Sequence, residues 1–156
     1  MNYHDPVLLH LSVDSLVTDP SGVYVDATFG GGGHSRAILE KLSADGRLIA
    51  FDQDAESQAN LIDDPRFQFV PSNFKNLTRF LQYYKAWPVN GILADLGISS
   101  HQIDTPDRGF SYSHDGRLDM RMNGEAALSA HEVVNQYDEK QLSHVFYTYG
   151  ELHEGR

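Results

Sequence analysis

Cysteine is absent from the chain, which excludes a disulfide framework, a thiolate nucleophile and Cys-ligated zinc. Long apolar runs are missing too. None approaches the ~20 residues that a membrane-spanning helix requires. The opening Met1-Asn2-Tyr3-His4-Asp5-Pro6 lacks the basic start and apolar stretch of a signal peptide. Positive charge is scarce, with 12 Lys and Arg against 22 Asp and Glu and a net charge of −10. That balance argues against a free-standing, non-specific nucleic-acid binder, because such binding draws on excess cation and counterion release. Together these absences predict a soluble cytoplasmic protein with no membrane partner. What is present suits a folded domain. The 156 residues are 40% hydrophobic and include 8 Phe and 8 Tyr, ample for a packed core and incompatible with intrinsic disorder. A chain of this size buries roughly 70% of its unfolded surface.

No internal repeat, low-complexity tract or linker divides the chain. Val23 to Phe29 reads as a buried strand that stops at a glycine run. A helix follows from about His34 to Leu42, with Ala37, Ile38 and Leu42 on one face. Arg47 to Asp52 reads as a second strand. Asp54 is placed to cap a helix reaching Ile62, and Asp63-Asp64-Pro65 ends it, since the residue before proline disfavours the α region. Phe67 to Val70 is a third strand, after which Phe74, Leu77, Leu81 and Tyr84 fall at helical spacing. Gly91 to Leu96 is a fourth. Strands alternating with helices imply βαβ crossovers and a parallel sheet, whose ligands sit beyond the carboxyl ends of the strands. Three strands end there in glycine or acid: the glycines after Phe29, then Asp52, then Asp95.

Past Gly97 the character changes. Residues 101–124 are polar, and two helical patterns follow. In the second, Leu142, Val145, Phe146 and Tyr149 have the spacing of a buried stripe. The α/β alternation does not resume, so the fourth strand is left as an open edge. That edge predicts a homodimer or an exchange of elements, and a chain that is part of something larger.

Gly30-Gly31-Gly32-Gly33 is the first candidate for chemistry. No Gly-Lys-Ser/Thr follows it, which excludes the phosphate loop. The G-x-G-x-x-G pattern fails as well, at Ser35 from Gly30 and at Arg36 from Gly31. What remains is Asp26 in the first strand, glycines at its end and Asp52 ending the second. This suits a nucleoside-containing ligand without a phosphate, such as S-adenosylmethionine: glycine backbone can approach closely, and a carboxylate can accept both ribose hydroxyls. The bland alternative is a tight turn. Asp52-x-Asp54 also raises a magnesium phosphatase, although Glu56 stands where that class usually has Thr or Val, and helix capping is the simpler role for Asp54. The histidines are scattered without a His-x-x-x-His pair, so no metal site is expected. His34 stands out by directly following the glycines, with a backbone-bonded helix-start residue as its plain reading.

Several segments then converge. His4-x-Pro6-Val7-Leu8-Leu9, Val25-Asp26-Ala27-Thr28-Phe29-Gly30-Gly31-Gly32-Gly33-His34-Ser35, Asp95-Leu96-Gly97-Ile98-Ser99-Ser100-x-Gln102, Arg108-Gly109-Phe110-Ser111 and Leu118-Asp119-Met120-Arg121-Met122 occur in this order. They closely resemble the MraW family of bacterial 16S ribosomal RNA cytosine-N4 methyltransferases, along essentially the whole chain. The resemblance implies an α/β, Rossmann-like class I S-adenosylmethionine-dependent methyltransferase. It further implies methyl transfer to the exocyclic N4 amine of a cytidine in 16S rRNA of the small ribosomal subunit. The family's cofactor contacts carry over to Gly32, Gly33, His34, Asp52, Phe74, Asp95 and Gln102. No catalytic residue is assigned by it.

The family is substantially longer. It inserts a helical domain after the Leu-Asp-Met-Arg-Met segment and then returns to complete the sheet. Residues 1–104 are accordingly expected to form the N-terminal part of the Rossmann-like domain, with an incomplete parallel sheet. Residues 105–156 are expected to form a connection and the start of the inserted domain. Two other functions stand beside the methyltransferase: a catalytically silent cofactor-binding module and the magnesium phosphatase.

Overall fold

The computed structural model describes residues 6–152, so His4 of the N-terminal motif lies outside the described residues. The chain divides at Gly97 and Ile98 into two compact units.

In the first unit, strands β1 (Val23–Asp26), β2 (Arg47–Asp52), β3 (Phe67–Pro71) and β4 (Gly91–Leu93) form a parallel sheet in the order β3-β2-β1-β4. Alternate side chains point to opposite faces, and both faces are covered. On one, Tyr24 and Leu48 pack with Val13 of α1 (Leu9–Leu16) and with Ile38 and Leu39 of α2 (Gly33–Lys41). On the other, Val25, Ile49, Phe51 and Val70 pack with Leu81 of α3 (Leu77–Tyr83) and with Ala86. Strands buried on two faces read as unbroken apolar runs, which is why β1 and β2 show no alternation in the sequence. Asp26 lies opposite Ala50 on one side and Leu93 on the other. Thr28, Asp52 and Asp95 therefore reach the same level at the carboxyl ends of three adjacent strands. Strand β4 pairs only with β1, and its other edge has no strand partner among the described residues.

Some elements are shorter than the sequence predicts. Strand β1 ends at Asp26 rather than Phe29, although Ala27 N–H still donates to the Leu93 carbonyl at 2.8 Å and Phe29 N–H to that of Phe51 at 2.9 Å. The expected helix after Asp54 is a 3-10 helix, Ala55–Asn60. Its tightening has local causes: Ser57 Oγ bonds back to the Asp54 carbonyl at 2.7 Å, and Asn60 Nδ2 donates to the Gly30 carbonyl at 3.1 Å. Phe74 opens a 3-10 turn before α3 and is 43% exposed, so it is not on the helix's packed face. Strand β4 stops at Leu93, which leaves Asp95 in the loop beyond it.

The second unit contains α4 (Ser100–Asp104), a 3-10 turn over Pro106–Arg108, α5 (Ala130–Gln136) and α6 (Glu139–Gly150). All three helices begin with a capping box: Ser99 with Gln102, Ser129 with Glu132, Asp138 with Gln141. Helix α4 packs on the 3-10 turn and so falls with this unit, whereas the sequence puts the boundary at 104. Between turn and α5, Arg121 grips Asp119 through Nε–Oδ1 at 2.8 Å and Nη2–Oδ2 at 2.6 Å. Arg108 Nη2 donates to the Arg121 carbonyl at 3.0 Å. The Arg-Gly-Phe-Ser and Leu-Asp-Met-Arg-Met segments thus fasten each other. A Cβ on Gly109 (φ +72°) would fall 2.5 Å from the Arg117 carbonyl oxygen. The stripe expected on α6 is a correction: Leu142 and Val145 are half-buried, Phe146 and Tyr149 are exposed, and no residue of α6 is buried. Helical spacing identified an apolar face, but among the described residues only its Leu142 and Val145 are partly covered.

Candidate cofactor site

The glycine run turns the chain from β1 into α2. Gly30 (φ +50°) and Gly32 (φ +77°) occupy the left-handed region that side chains disfavour. A Cβ on Gly32 would sit 3.0 Å from the Phe29 ring and 2.4 Å from Arg36 Nη1. One on Gly33 would fall 2.3 Å from Pro6 Cγ, so the N-terminal segment closes down on bare backbone there. His34 follows in the first turn of α2 and is buried. Its Nε2 lies 3.3 Å from the Val7 carbonyl oxygen. A carbonyl only accepts, so that nitrogen carries the hydrogen. The plain backbone-bonded reading of His34 is therefore the geometry observed.

Asp52 ends β2 beside this turn. Gly30 N–H donates to its Oδ2 at 2.7 Å, and Asp54 N–H donates to its Oδ1 at 2.9 Å. Each oxygen thus has a backbone donor and spare lone-pair capacity, and the Gln53 N–H also favours the ionised form. Burial pushes the carboxyl above its ordinary value, against the opposing pull of these N–H donors. A half-buried carboxylate with both oxygens fixed and still able to accept is complementary to a vicinal diol. The ribose of S-adenosylmethionine offers one, so the residues present fit that cofactor.

Beneath the loop, Asp26 is fully buried. It accepts Ser35 Oγ–H at 2.7 Å on Oδ2 and Thr28 N–H at 3.0 Å on Oδ1. Burial raises its pKa as well, opposed by these two donors. Thr28 Oγ1 in turn accepts Asp95 N–H at 2.8 Å. One hydrogen-bonded chain therefore runs from α2 through Asp26 and Thr28 to the loop after β4. Thr28 and Ser35 were not singled out by sequence. Each is a small hydroxyl residue flanking the glycines, and that adjacency is the only signal they offered.

Gly32, Gly33, His34, Asp52 and Asp95 are thus gathered at the carboxyl edge of the sheet, with Phe74 three residues past β3. Gln102 belongs to the second unit, where it is buried and its Oε1 accepts Ser99 N–H at 3.0 Å. Asp54 caps the 3-10 helix, accepting Glu56 N–H at 3.2 Å, as its simpler reading required. Among the described residues no group of three or more His, Asp or Glu side chains is arranged to hold a metal ion.

A parallel sheet covered on both faces, a glycine turn after its first strand and an acid ending its second define a Rossmann-like α/β fold. The chain belongs to the MraW methylase family, whose family model matches residues 1–156. It is 54% identical over 154 residues to the ribosomal RNA small subunit methyltransferase H of Bacteroides fragilis, covering 99% of this chain and 51% of that protein. The like-named protein of Porphyromonas gingivalis is 56% identical over 155 residues, with 99% and 50% covered. That of Bacteroides thetaiotaomicron is 53% identical over 156 residues, with 100% and 51% covered. The chain spans about half the length of these relatives.

Proposed function

We propose that this chain carries the cofactor-binding part of an S-adenosylmethionine-dependent methyltransferase, and that the whole protein methylates the N4 amine of a cytidine in 16S rRNA of the small ribosomal subunit. The observation that carries the reading is Asp52, held by the Gly30 and Asp54 backbone N–H groups beside a side-chain-free turn in a member of this family. Asp52 would accept the ribose hydroxyls. Gly32 and Gly33 would let the cofactor approach the backbone, and His34 would fix the turn through Val7. Phe74 would offer its exposed ring to the adenine, and Asp95 would complete the contacts offered by the first unit, while Gln102 is the contact that the family resemblance assigns within the second unit. When bound, the cofactor supplies an electrophilic methyl group on a sulfonium.

A cytidine amine is a poor nucleophile because its lone pair is conjugated with the ring. The protein's task is then alignment of nitrogen and methyl, with the base unstacked to reach the pocket. The acceptor for the amine hydrogen is not assigned. A ribosomal substrate implies a cytoplasmic location. The edge of β4 that has no strand partner among the described residues supports self-association as a further part of the proposal. Sedimentation should show a species heavier than one chain, and a strictly monomeric profile would contradict that part.

Transfer of labelled methyl from S-adenosylmethionine to small-subunit RNA tests the activity, with Asp52→Ala as the control. Incorporation lost in the variant is expected. Cofactor binding without incorporation by a protein of the relatives' full length would favour the silent binding module instead.

A further inference from the structure

Between Arg66 and Ala94 the sequence contains no Asp or Glu. The segment carries Arg66, Lys75, Arg79 and Lys85, leaving 8 of the 12 Lys and Arg to face all 22 acids elsewhere. Arg66 is clamped to Asp64. Lys75, Arg79 and Lys85 are exposed and have no ion pair among the described residues. In a chain of net charge −10, three unneutralised cations on one short stretch are a segregated patch.

The geometry of α3 presents them together. Leu77, Phe80, Leu81 and Tyr84 face the sheet, which turns Arg79 and Tyr83, one helical turn apart, to the outside. Lys75 precedes Arg79 by the same interval. Tyr83 is 77% exposed yet held edge-on against Tyr84, with ring centroids 5.1 Å apart. Trp87, just beyond the helix, is 61% exposed. Lys85 has φ +51°, and Ala86 N–H reaches back to the Leu81 carbonyl at 2.8 Å. This is the left-handed position after a helix, where glycine is the usual residue. A lysine occupies it despite the backbone strain.

We propose that the outer face of α3 and the turn after it, formed by Lys75, Arg79, Tyr83, Lys85 and Trp87, is a docking surface for single-stranded RNA adjoining the target base. It rests on the reading of the protein as an RNA methyltransferase and names where that RNA lies. Cations on a stretch free of acids and without ion pairs among the described residues suit phosphates, whose binding releases counterions. Exposed rings interleaved with them suit unstacked bases, which any sequence supplies. The patch begins beside Phe74 at the cofactor edge and follows α3 for about 10 Å toward the opposite edge of the sheet. It therefore leads a strand away from the reactive end. An acidic protein partner would use the cations and leave the rings unused.

The test measures binding of mixed-sequence single-stranded RNA to the 156-residue chain as a function of salt, with S-adenosylhomocysteine titrated in parallel. The triple variant Lys75→Gln, Arg79→Gln, Lys85→Gln should bind RNA at least about tenfold more weakly at low salt, with its log–log salt slope shallower by about two. Trp87→Ala should weaken RNA binding several-fold with the slope unchanged. Lys85→Gly should raise Tm by roughly 2–4 °C and still weaken RNA binding, which a merely capping lysine would not do. Unchanged affinity in the triple variant, or no RNA binding by the unaltered chain, would overturn the docking surface. So would loss of cofactor binding in these variants, since the change would then act through the fold. Failure of the unaltered chain to bind S-adenosylhomocysteine, with the RNA results as expected, would sink the methyltransferase reading and leave the surface standing.

Discussion

Gly32 and Asp52 show how much a single residue decides in this site. At Gly32 the left-handed backbone and the closeness of the Phe29 ring and Arg36 act together. Gly32→Ala is expected to destabilise the chain by about 1–2 kcal/mol and to weaken S-adenosylhomocysteine binding, as read by urea unfolding and calorimetry. An alanine variant as stable as the parent would show that the turn is softer than its contacts indicate. Asp52 makes a pH prediction. Burial raises its pKa, so the folded chain holds this proton to higher pH than the unfolded chain. Its contribution to stability therefore falls as pH climbs from the unfolded toward the folded pKa. Ligand hydroxyls donate to the ionised form, so cofactor affinity should rise with pH through that window and then level off. Asp52→Asn should flatten the profile. Both residues were legible in the sequence, as a glycine run and a strand-ending acid. Thr28 and Ser35 were not, because a lone hydroxyl carries no periodic signature and its partner is set by tertiary contact.

Among the elements, those with strong internal pattern were readable and those shaped by neighbours were not. Strand β2 was read from Arg47 to Asp52, as it stands, because every residue between them is apolar and both faces are covered. The segment after Asp54 has good helix formers, yet Ser57 and Asn60 tie it to the Asp54 and Gly30 carbonyls and it tightens to 3-10. The α6 stripe was found and its burial misjudged, since periodicity identifies a face and not what covers it. Local clamps such as Asp64-x-Arg66 and Asp119-x-Arg121 were also invisible as contacts. The Arg121 hydrogen bonds and charge hold the Asp119 carboxyl down at about 2, below the usual 3.8. Its contribution is fully present above the unfolded value and is lost as pH falls toward 2. Asp119→Asn should therefore lower stability at neutral pH and remove part of the acid-induced loss between those values. Acid titrations followed by circular dichroism would show it, and superimposable profiles for parent and variant would count against the clamp.

For the whole molecule, the order β3-β2-β1-β4 explains why residues distant in sequence share one edge. The alternation of strands and helices made that sheet legible, and the rule that ligands sit beyond its carboxyl ends singled out the loops that carry Gly32, Asp52 and Asp95. Sequence did not reveal the hydrogen-bonded support beneath them, running from Ser35 through Asp26 and Thr28 to the Asp95 backbone. Nor did it reveal that Gln102 belongs to a second compact unit. The central claim is that the first unit presents a nucleoside site built on the glycine turn and Asp52. Calorimetric titration of the 156-residue chain with S-adenosylhomocysteine, beside Asp52→Ala, tests it most directly. Binding by the parent chain is expected, with at least about tenfold weaker binding by the variant, the loss that follows from removing hydrogen bonds to a charged group. Equal affinity for both, or no binding by a demonstrably folded parent, would contradict it.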